Sequence, residues 1–579
     1  MNKLRHIISL DFFRRQLANV EALPQLAILA VVAGFFTGFV ILVFRSSIDF
    51  VLGYWLLPNG SESFEELAMV KRLLLPVIGG ALVGALMTQL PPAEQRVGVV
   101  HVMERLSRHQ GYLPARNAII QFVGGIIALV SGQSGGREGP SIHLGAASSS
   151  LLGQAFELPN NSIRTLVACG TAAAIAASFN TPIAGVIFAM EVVMMEYTIG
   201  SFIPVIIAAV TSTLLTHYFF GNEPAFTVAP LHMRSLLEIP YIIAGGALIG
   251  AIAAGFITLV QQFARLGHLP FYLRALLAGG IVAIAAIFTP EVMGIGYDTV
   301  NGAMLGKLGL TTLFLIVIMK SLASASAVGL GLPVGLIGPT FVIGAAVGGI
   351  LGIVGNMLEP DEATSIGFYV MLGMSAMMAA VLQAPLAALM AVLELTANPN
   401  VILPAMLMIV VATMVCGTVF KQKSVFLSTL NTLGLRYPPS PVTLHLQRAG
   451  VTAIMNRELQ RLSFLCNRES ALEAMHGAPR WIAVESAPGD IRCVLNASDL
   501  RIFLETNKER ENLNLLDIPG QRLDVADINS RATVQEAQEA LNSSDAEALC
   551  VRRITAPMIA SVLGIITQDD IDNYREVSE

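Results

Sequence analysis

The stretch Gly135-Gly136-Arg137-Glu138-Gly139-Pro140 places an arginine and a glutamate inside sequence that is otherwise small or apolar enough for a membrane interior. The same frame returns 199 residues later, where Gly136-x-x-Gly139-Pro140-x4-Gly145-Ala146-Ala147 is matched by Gly335-x-x-Gly338-Pro339-x4-Gly344-Ala345-Ala346. A second pair follows in the same order. Asn180-Thr181-Pro182-Ile183-Ala184, with Glu191 nine residues past the proline, is echoed 203 residues on by Gln383-Ala384-Pro385-Leu386-Ala387 and Glu394. Two motif pairs in one order mark an internal repeat. The chain must therefore fold as two similar halves, residues 23–225 and 226–430.

The composition makes these membrane halves. Of 579 residues, 54% are hydrophobic and 13% charged, with a mean hydropathy of +0.67. That is too apolar for a soluble enzyme and too long for a single core. Apolar segments crowd the chain at 26–45, 73–90, 201–220, 240–262, 273–289, 310–330, 338–357 and 400–420. Some reach the roughly 20 residues needed to cross a hydrocarbon core of about 30 Å, and others are shorter or broken by Gly and Pro. Broken segments in matching places of two halves point to a transport site near the midplane, because unpaired backbone is tolerated there only where it lines a cavity. Lys3, Arg5, Arg14 and Arg15 precede the first long apolar run, and Lys421 and Lys423 follow the last. The positive-inside rule thus puts residues 1–22 and the C-terminal side in the cytoplasm, with an even number of crossings. Tight loops and the lack of a targeting segment suggest a multi-pass protein of a plasma membrane, a bacterial inner membrane in particular.

Beyond Lys423 the character changes. Tyr437-Pro438-Pro439-Ser440-Pro441 stiffens a linker over 431–449, and residues 450–579 have ordinary soluble composition. Two stretches, Cys493 to Leu500 and Val562 to Ile571, read as a buried strand turning into a polar-capped helix. The strand–helix unit occurs twice, at about 450–507 and 523–579, a layout that resembles a tandem pair of CBS domains. Cys169, Cys416, Cys466, Cys493 and Cys550 are scattered without metal or disulfide spacing. No nucleophile elbow, phosphate loop or metal cluster is present, so neither an enzyme nor a metal site is expected, and the net charge of -6 argues against nucleic acid as a partner.

A glycine-rich turn entering a helix leaves backbone N–H groups pointing outward, with the positive end of the helix dipole behind them. Such a turn binds anions. Two of them, one per half, can replace the hydration shell of a small anion without a fixed full charge that would trap it. The competing reading is close helix packing through small residues. It accounts less well for Glu138, since a carboxylate at membrane depth costs several kcal/mol unless paired or functional. A local Arg137–Glu138 pair is disfavoured because adjacent residues on a helix do not face each other.

Gly136-Arg137-Glu138-Gly139-Pro140, its partner Gly335 to Pro339, the run Asn180 to Gly185 and the C-terminal pair together resemble the CLC family of chloride channels and chloride/proton exchangers. The resemblance implies an α-helical polytopic membrane protein with an inverted repeat of two halves, a cytoplasmic α/β CBS pair and a homodimer with one pore per subunit. It places Glu138 as the gate, a tethered carboxylate competing for an anion site. The anion contacts it implies, mostly backbone, are Arg137, Glu138, Gly139, Gly98, Leu336, Ile337 and Phe426.

Three departures qualify the resemblance. Val97 stands where the family has a serine and Phe426 where it has a tyrosine, so both hydroxyl donors to the central anion are missing. Val192 occupies the place of the usual proton-transfer glutamate. Glu191 beside it has a repeat partner in Glu394, which favours a structural role for both. His143, in the helix after Gly139, is either a satisfied intramembrane histidine or a proton carrier. The expected function is transport of chloride or a similar small anion, channel-like or weakly proton-coupled, gated by Glu138. One alternative is a chloride/proton antiporter with a non-standard proton route, and another is a nucleotide sensor with a vestigial pore. Thr567 and Asp570, and less well Asn496 and Asp499, match residues with which CBS domains hold a ribose, so a regulatory adenine nucleotide is weighed against plain helix caps.

Overall fold

The computed structural model describes residues 10–576 apart from 20–21, 58–62, 92–93, 223–225, 227–237, 359–363, 436–440, 488 and 557–558. The chain divides into two compact units: Ala27–Gln154 with Arg164–Pro438, and Met1–Leu26 with Ala155–Ile163 and Pro439–Glu579.

The first unit is helical. Among the described residues nine helices are long and apolar enough to cross a membrane, and Ala115–Val130, Pro182–Met194, Ile366–Leu382 and Pro385–Thr396 are shorter apolar helices. Each apolar segment expected from sequence falls in one of the nine. The ninth, Asn160–Phe179, is rich in Ala, Gly and Ser and mostly buried in protein, so its sequence carries a weaker apolar signal. Large apolar side chains such as Phe35, Phe39, Leu82, Leu214 and Leu403 are exposed on the outer helices, as a lipid-facing surface requires. The helices Glu138–Ala155 and Ile337–Leu358 are buried on nearly every side.

The two halves bind each other by reciprocal contacts at equivalent positions. Gly136 and Gly335 form an antiparallel bridge, Gly136 N–H donating to Gly335 O at 2.7 Å and Gly335 N–H to Gly136 O at 2.6 Å. Helices Met69–Thr88 and Phe271–Phe288 cross with Gly80 against the Ala275 carbonyl and Gly279 against that of Pro76, so close that a Cβ on either glycine would overlap backbone. Asn180 and Gln383 both take left-handed backbone, at φ 59° and 52°, ending one helix before Pro182 or Pro385 opens the next.

The structural role expected of Glu191 and Glu394 takes a definite form here. Glu394 accepts from the amides of Ile183 (3.0 Å) and Ala184 (2.7 Å), and Glu191 from those of Leu386 (3.3 Å) and Ala387 (2.8 Å). Each carboxylate therefore caps the broken helix of the opposite half. A carboxylate serves there because a helix start offers unpaired donors and a positive dipole end.

The second unit carries strands β1 (Leu459–Ser463), β2 (Leu465–Asn467), β3 (Trp481–Ala487), β4 (Asp490–Asn496), β5 (Asn512–Asn514), β6 (Arg522–Asn529), β7 (Ala548–Ala556) and β8 (Ile559–Thr567). Six of them form a sheet ordered β1-β3-β4-β6-β7-β8, and β2 pairs with β5. The β1–β3 and β6–β7 pairs are parallel, β3–β4 and β7–β8 antiparallel, so the same three-strand motif occurs twice and is joined at antiparallel β4–β6. The linker residues Tyr437 to Ser440 lie outside the described residues, while Pro441 opens a short helix, Pro441–Leu446, a position where a missing N–H costs nothing. The segment Ala155–Ile163 belongs to this unit through Asn160, whose side-chain amide donates to Glu536, and Asn161, which donates to the carbonyls of Leu17 and Arg448.

Removing either capping carboxylate leaves two amides unpaired at a half-buried helix start. Glu191→Ala and Glu394→Ala are each expected to lower stability by about 2–4 kcal/mol. Thermal unfolding in detergent should show losses of similar size for the two; a loss confined to one would contradict the reciprocal arrangement.

Candidate anion site between the two halves

The Gly136–Gly335 bridge holds the two helix starts against each other. Pro140 and Pro339 lack N–H groups, so the unpaired donors of each first turn lie in the residues just before them. Glu138 is 1% exposed, and its side chain folds back over the glycines of both frames. A Cβ on Gly335 would sit 2.7 Å from Oε2 and one on Gly338 2.8 Å from Oε1; at Gly136 it would overlap the carboxyl group. These glycines are therefore a seat cut to the carboxylate, which explains the repeated frame better than backbone freedom does.

Few side chains touch that carboxylate. The Tyr297 hydroxyl lies 3.5 Å from Oε1, and Oε2 makes no side-chain or backbone hydrogen bond by strict geometry. The Arg137 guanidinium packs over the rings of Phe179 (5.3 Å) and Tyr297 (5.9 Å), and no ion pair joins Arg137 to Glu138 among the described residues. Arg137 thus supplies positive potential nearby and does not clamp the Glu138 carboxylate.

Two cavities lie near these helix starts. One of about 730 Å³ is lined by Gly98, Gly139, Leu336 and Phe426 together with Arg96 and His101. The other, of about 20 Å³, has room for a single water-sized particle and is lined by Glu138 and Ile337 with Phe179 and Phe341. The residues named for anion contact are divided between them, and Arg137 lines neither. Glu138 lines the small cavity and its chain neighbour Gly139 the large one.

Gly98 has φ 76° and open space where a Cβ would point, as a wall residue at a turn needs. It opens the helix Gly98–Arg108, and Val97 before it offers no side-chain cap. The Gly98 amide instead reaches Gln121 Oε1 (2.9 Å) and His143 Nδ1 (3.2 Å). Val192 is buried in the π-turn Ala189–Met194, and Phe426 is buried against the larger cavity.

In the second unit, Thr567 donates through N–H (2.9 Å) and hydroxyl (2.8 Å) to Asp570 Oδ2, while Asp570 Oδ1 lies 3.9 Å from Arg480. Asn496 caps its helix through Ser498 N, and Asp499 packs against Gly520. Thr567 with Asp570, and Asn496, thus make hydrogen bonds at helix starts. No group of three or more His, Cys, Asp or Glu side chains suited to a metal occurs among the described residues.

Sequence reasoning missed Tyr297 and Lys320. Lys320 is wholly buried and donates to the carbonyls of Val292 (3.0 Å) and Gly294 (2.9 Å). It anchors the turn that reaches Gly296, at φ 90°, and sets Tyr297 at the start of the helix Tyr297–Met304. A lone cation in the apolar run 310–329 was the available signal.

The family model for voltage gated chloride channels matches residues 79–417, more than half of the chain. The chain belongs to the CLC family. Its function is that family's transport of chloride across a membrane. A ClcB-like protein of Ralstonia nicotianae is 34% identical over 344 residues, 58% of this chain and 80% of that one. The H(+)/Cl(-) exchange transporter ClcA of Vibrio cholerae is 30% identical over 295 residues, 49% of this chain and 63% of that one. A crystal structure of a eukaryotic CLC transporter aligns with a TM-score of 0.57 at 18% identity, covering 94% of this chain and 97% of that one. The CLC fold likeness therefore extends past the membrane unit into the C-terminal one.

A methyl group at Gly338 would meet the far end of a flexible side chain, so the carboxylate yields before the backbone does. Gly338→Ala is expected to fold and to expel Glu138 from its seat, giving an anion flux close to that of Glu138→Ala. Flux assays on vesicles holding each variant check this; wild-type flux in Gly338→Ala beside altered flux in Glu138→Ala would mean that the seat does not hold the gate.

Proposed function

We propose that this CLC protein passes chloride or a similar small anion in a channel-like or weakly proton-coupled mode, with Glu138 as the gate. The observation that carries this is the placement of the Glu138 carboxylate, seated on glycines of both halves, with Glu138 lining one cavity and Gly139 the other. An ionised carboxylate there competes with a free anion for the same space, and protonation or displacement opens the way. Backbone amides carry most of the anion contact, because Val97 and Phe426 offer no hydroxyl. Selectivity then rests on cavity size and amide dipoles, which discriminate less sharply among small anions than placed hydroxyl donors do.

Weak coupling follows from Val192, an apolar side chain that holds no proton. Both termini lie on the cytoplasmic side of a bacterial inner membrane in this reading, and the protein works as a homodimer. The C-terminal unit, with its twice-repeated three-strand motif, is a CBS-like regulatory or stabilising platform. An adenine nucleotide bound there would have to share Asp570 with the cap that Thr567 makes.

Reversal potentials of the reconstituted protein, measured against chloride and pH gradients, test the mode. Wild type is expected to follow the chloride gradient with at most a small pH shift, and Glu138→Gln to lose its pH response altogether. A large pH shift in wild type would establish strict exchange instead.

A further inference from the structure

A pair of buried histidines beside the anion path has no role in the account above. His101 and His143 are 3% and 0% exposed, with ring centres 5.2 Å apart at 58°. Three of their four ring nitrogens, both of His101 and Nε2 of His143, are buried without a hydrogen bond. The fourth, His143 Nδ1, lies 3.2 Å from Gly98 N and 3.1 Å from Gln121 Oε1. Buried polar atoms without partners are rare in native proteins and call for a reason.

The surroundings supply one. Glu104 Oε2, itself buried without a hydrogen bond, lies 3.6 Å from His101 Nδ1, while Oε1 pairs with Arg96. His101, Arg96 and Gly98 all line the larger cavity, so the pair is reached from that side. Gly139, next to Glu138, lines the same cavity.

The charges facing the pair permit one added proton and oppose a second. On the helix Gly98–Arg108 and its flanks stand Glu104, Arg96, Arg105 and His109. From the helix Asn160–Phe179, Arg164 donates to Leu106 O. The π-turn Ala189–Met194 brings Glu191, already held by Leu386 and Ala387, and Arg116 on the helix Ala115–Val130 is paired with Glu94. The helix Val425–Thr432 brings no titratable side chain. One carboxylate, Glu104, therefore faces His101 amid several cations, and a second positive charge on His143 would be repelled by the first at close range.

We propose that His101 and His143, with Glu104 as counter-ion, form a proton-binding dyad that takes one proton at a time from the larger cavity and holds it beside the anion path. The proton leaves a hydronium ion in the cavity, giving water, and adds to a ring-nitrogen lone pair. Its acceptor is the Glu138 carboxylate once that group leaves the glycine seat, so Glu138 becomes a carboxylic acid and the dyad returns to neutral. The dyad does what Val192 cannot, and it deepens the weakly coupled arm of the proposed function, on which it rests.

The test uses the full chain in vesicles with an outward chloride gradient, recording chloride with an electrode and protons with a pH dye. The wild type is expected to move protons against chloride, and His101→Gln and His143→Gln to lower the ratio of protons to chloride at least tenfold. Glu104→Gln should lower it by a smaller factor. Should the wholly buried His143 variant not fold, His101→Gln at the cavity and Glu104→Gln beside it carry the comparison. An unchanged ratio in the histidine variants, or chloride movement without protons in wild type, overturns the dyad and leaves anion transport standing. Absence of chloride movement in wild type overturns the transport reading and the dyad with it.

Discussion

The antiparallel bridge between Gly136 and Gly335 is the contact on which the membrane unit depends. Two short backbone hydrogen bonds join equivalent points of the repeat and bring two helix starts together, nose to nose. A lone helix start in an apolar medium would leave its donors costly and unsatisfied. Two of them facing across a bridge create a region of positive potential that an anion or the tethered Glu138 carboxylate can fill. Glycine is required here because the carboxylate and the opposite backbone occupy the space of a side chain.

The cross-half caps extend the same economy to the edges. Glu191 and Glu394 occupy the amides of the helix starts at Pro385 and Pro182, while Glu138 and Ile337, at the starts of the other pair, line one cavity. A protein carrying several broken helices must decide which of them present free amides. Here the choice is made by carboxylates reaching across the pseudo-symmetric interface, and it also bonds the halves.

Around this frame the chain trades side-chain ligands for backbone. Where Val97 offers no hydroxyl, the Gly98 amide turns to Gln121 and His143, and the ring of the histidine so engaged packs against that of His101. Lys320 acts at longer range, tying the turn at 292–294 so that Tyr297 reaches Glu138 while its ring meets Arg137. Neither arrangement involves large apolar surface. Both come from satisfying polar groups at a depth where water is scarce.

The duplicated frames, the eight apolar runs, the change of composition after Lys423 and the cost of a carboxylate at Glu138 were all legible in the chain, because periodicity and burial cost are local properties of sequence. So was the structural leaning of Glu191 and Glu394, from their matched spacing. What they cap was not, since each partner lies about 200 residues away and only the interlocked repeat brings it near. The Asn160–Phe179 helix escaped because small residues buried in protein need little hydropathy. Residue types thus determined that two glycine-rich helix starts recur in the two halves and that one of them carries a carboxylate. Tertiary structure alone decided that Gly98, Leu336 and Phe426 share one cavity wall, that the Tyr297 hydroxyl lies near Glu138, and that two histidines 42 positions apart in sequence pack together with three of their four ring nitrogens unpaired. Such meetings depend on how helices cross, and crossing is set by the packing of the whole unit rather than by any one segment.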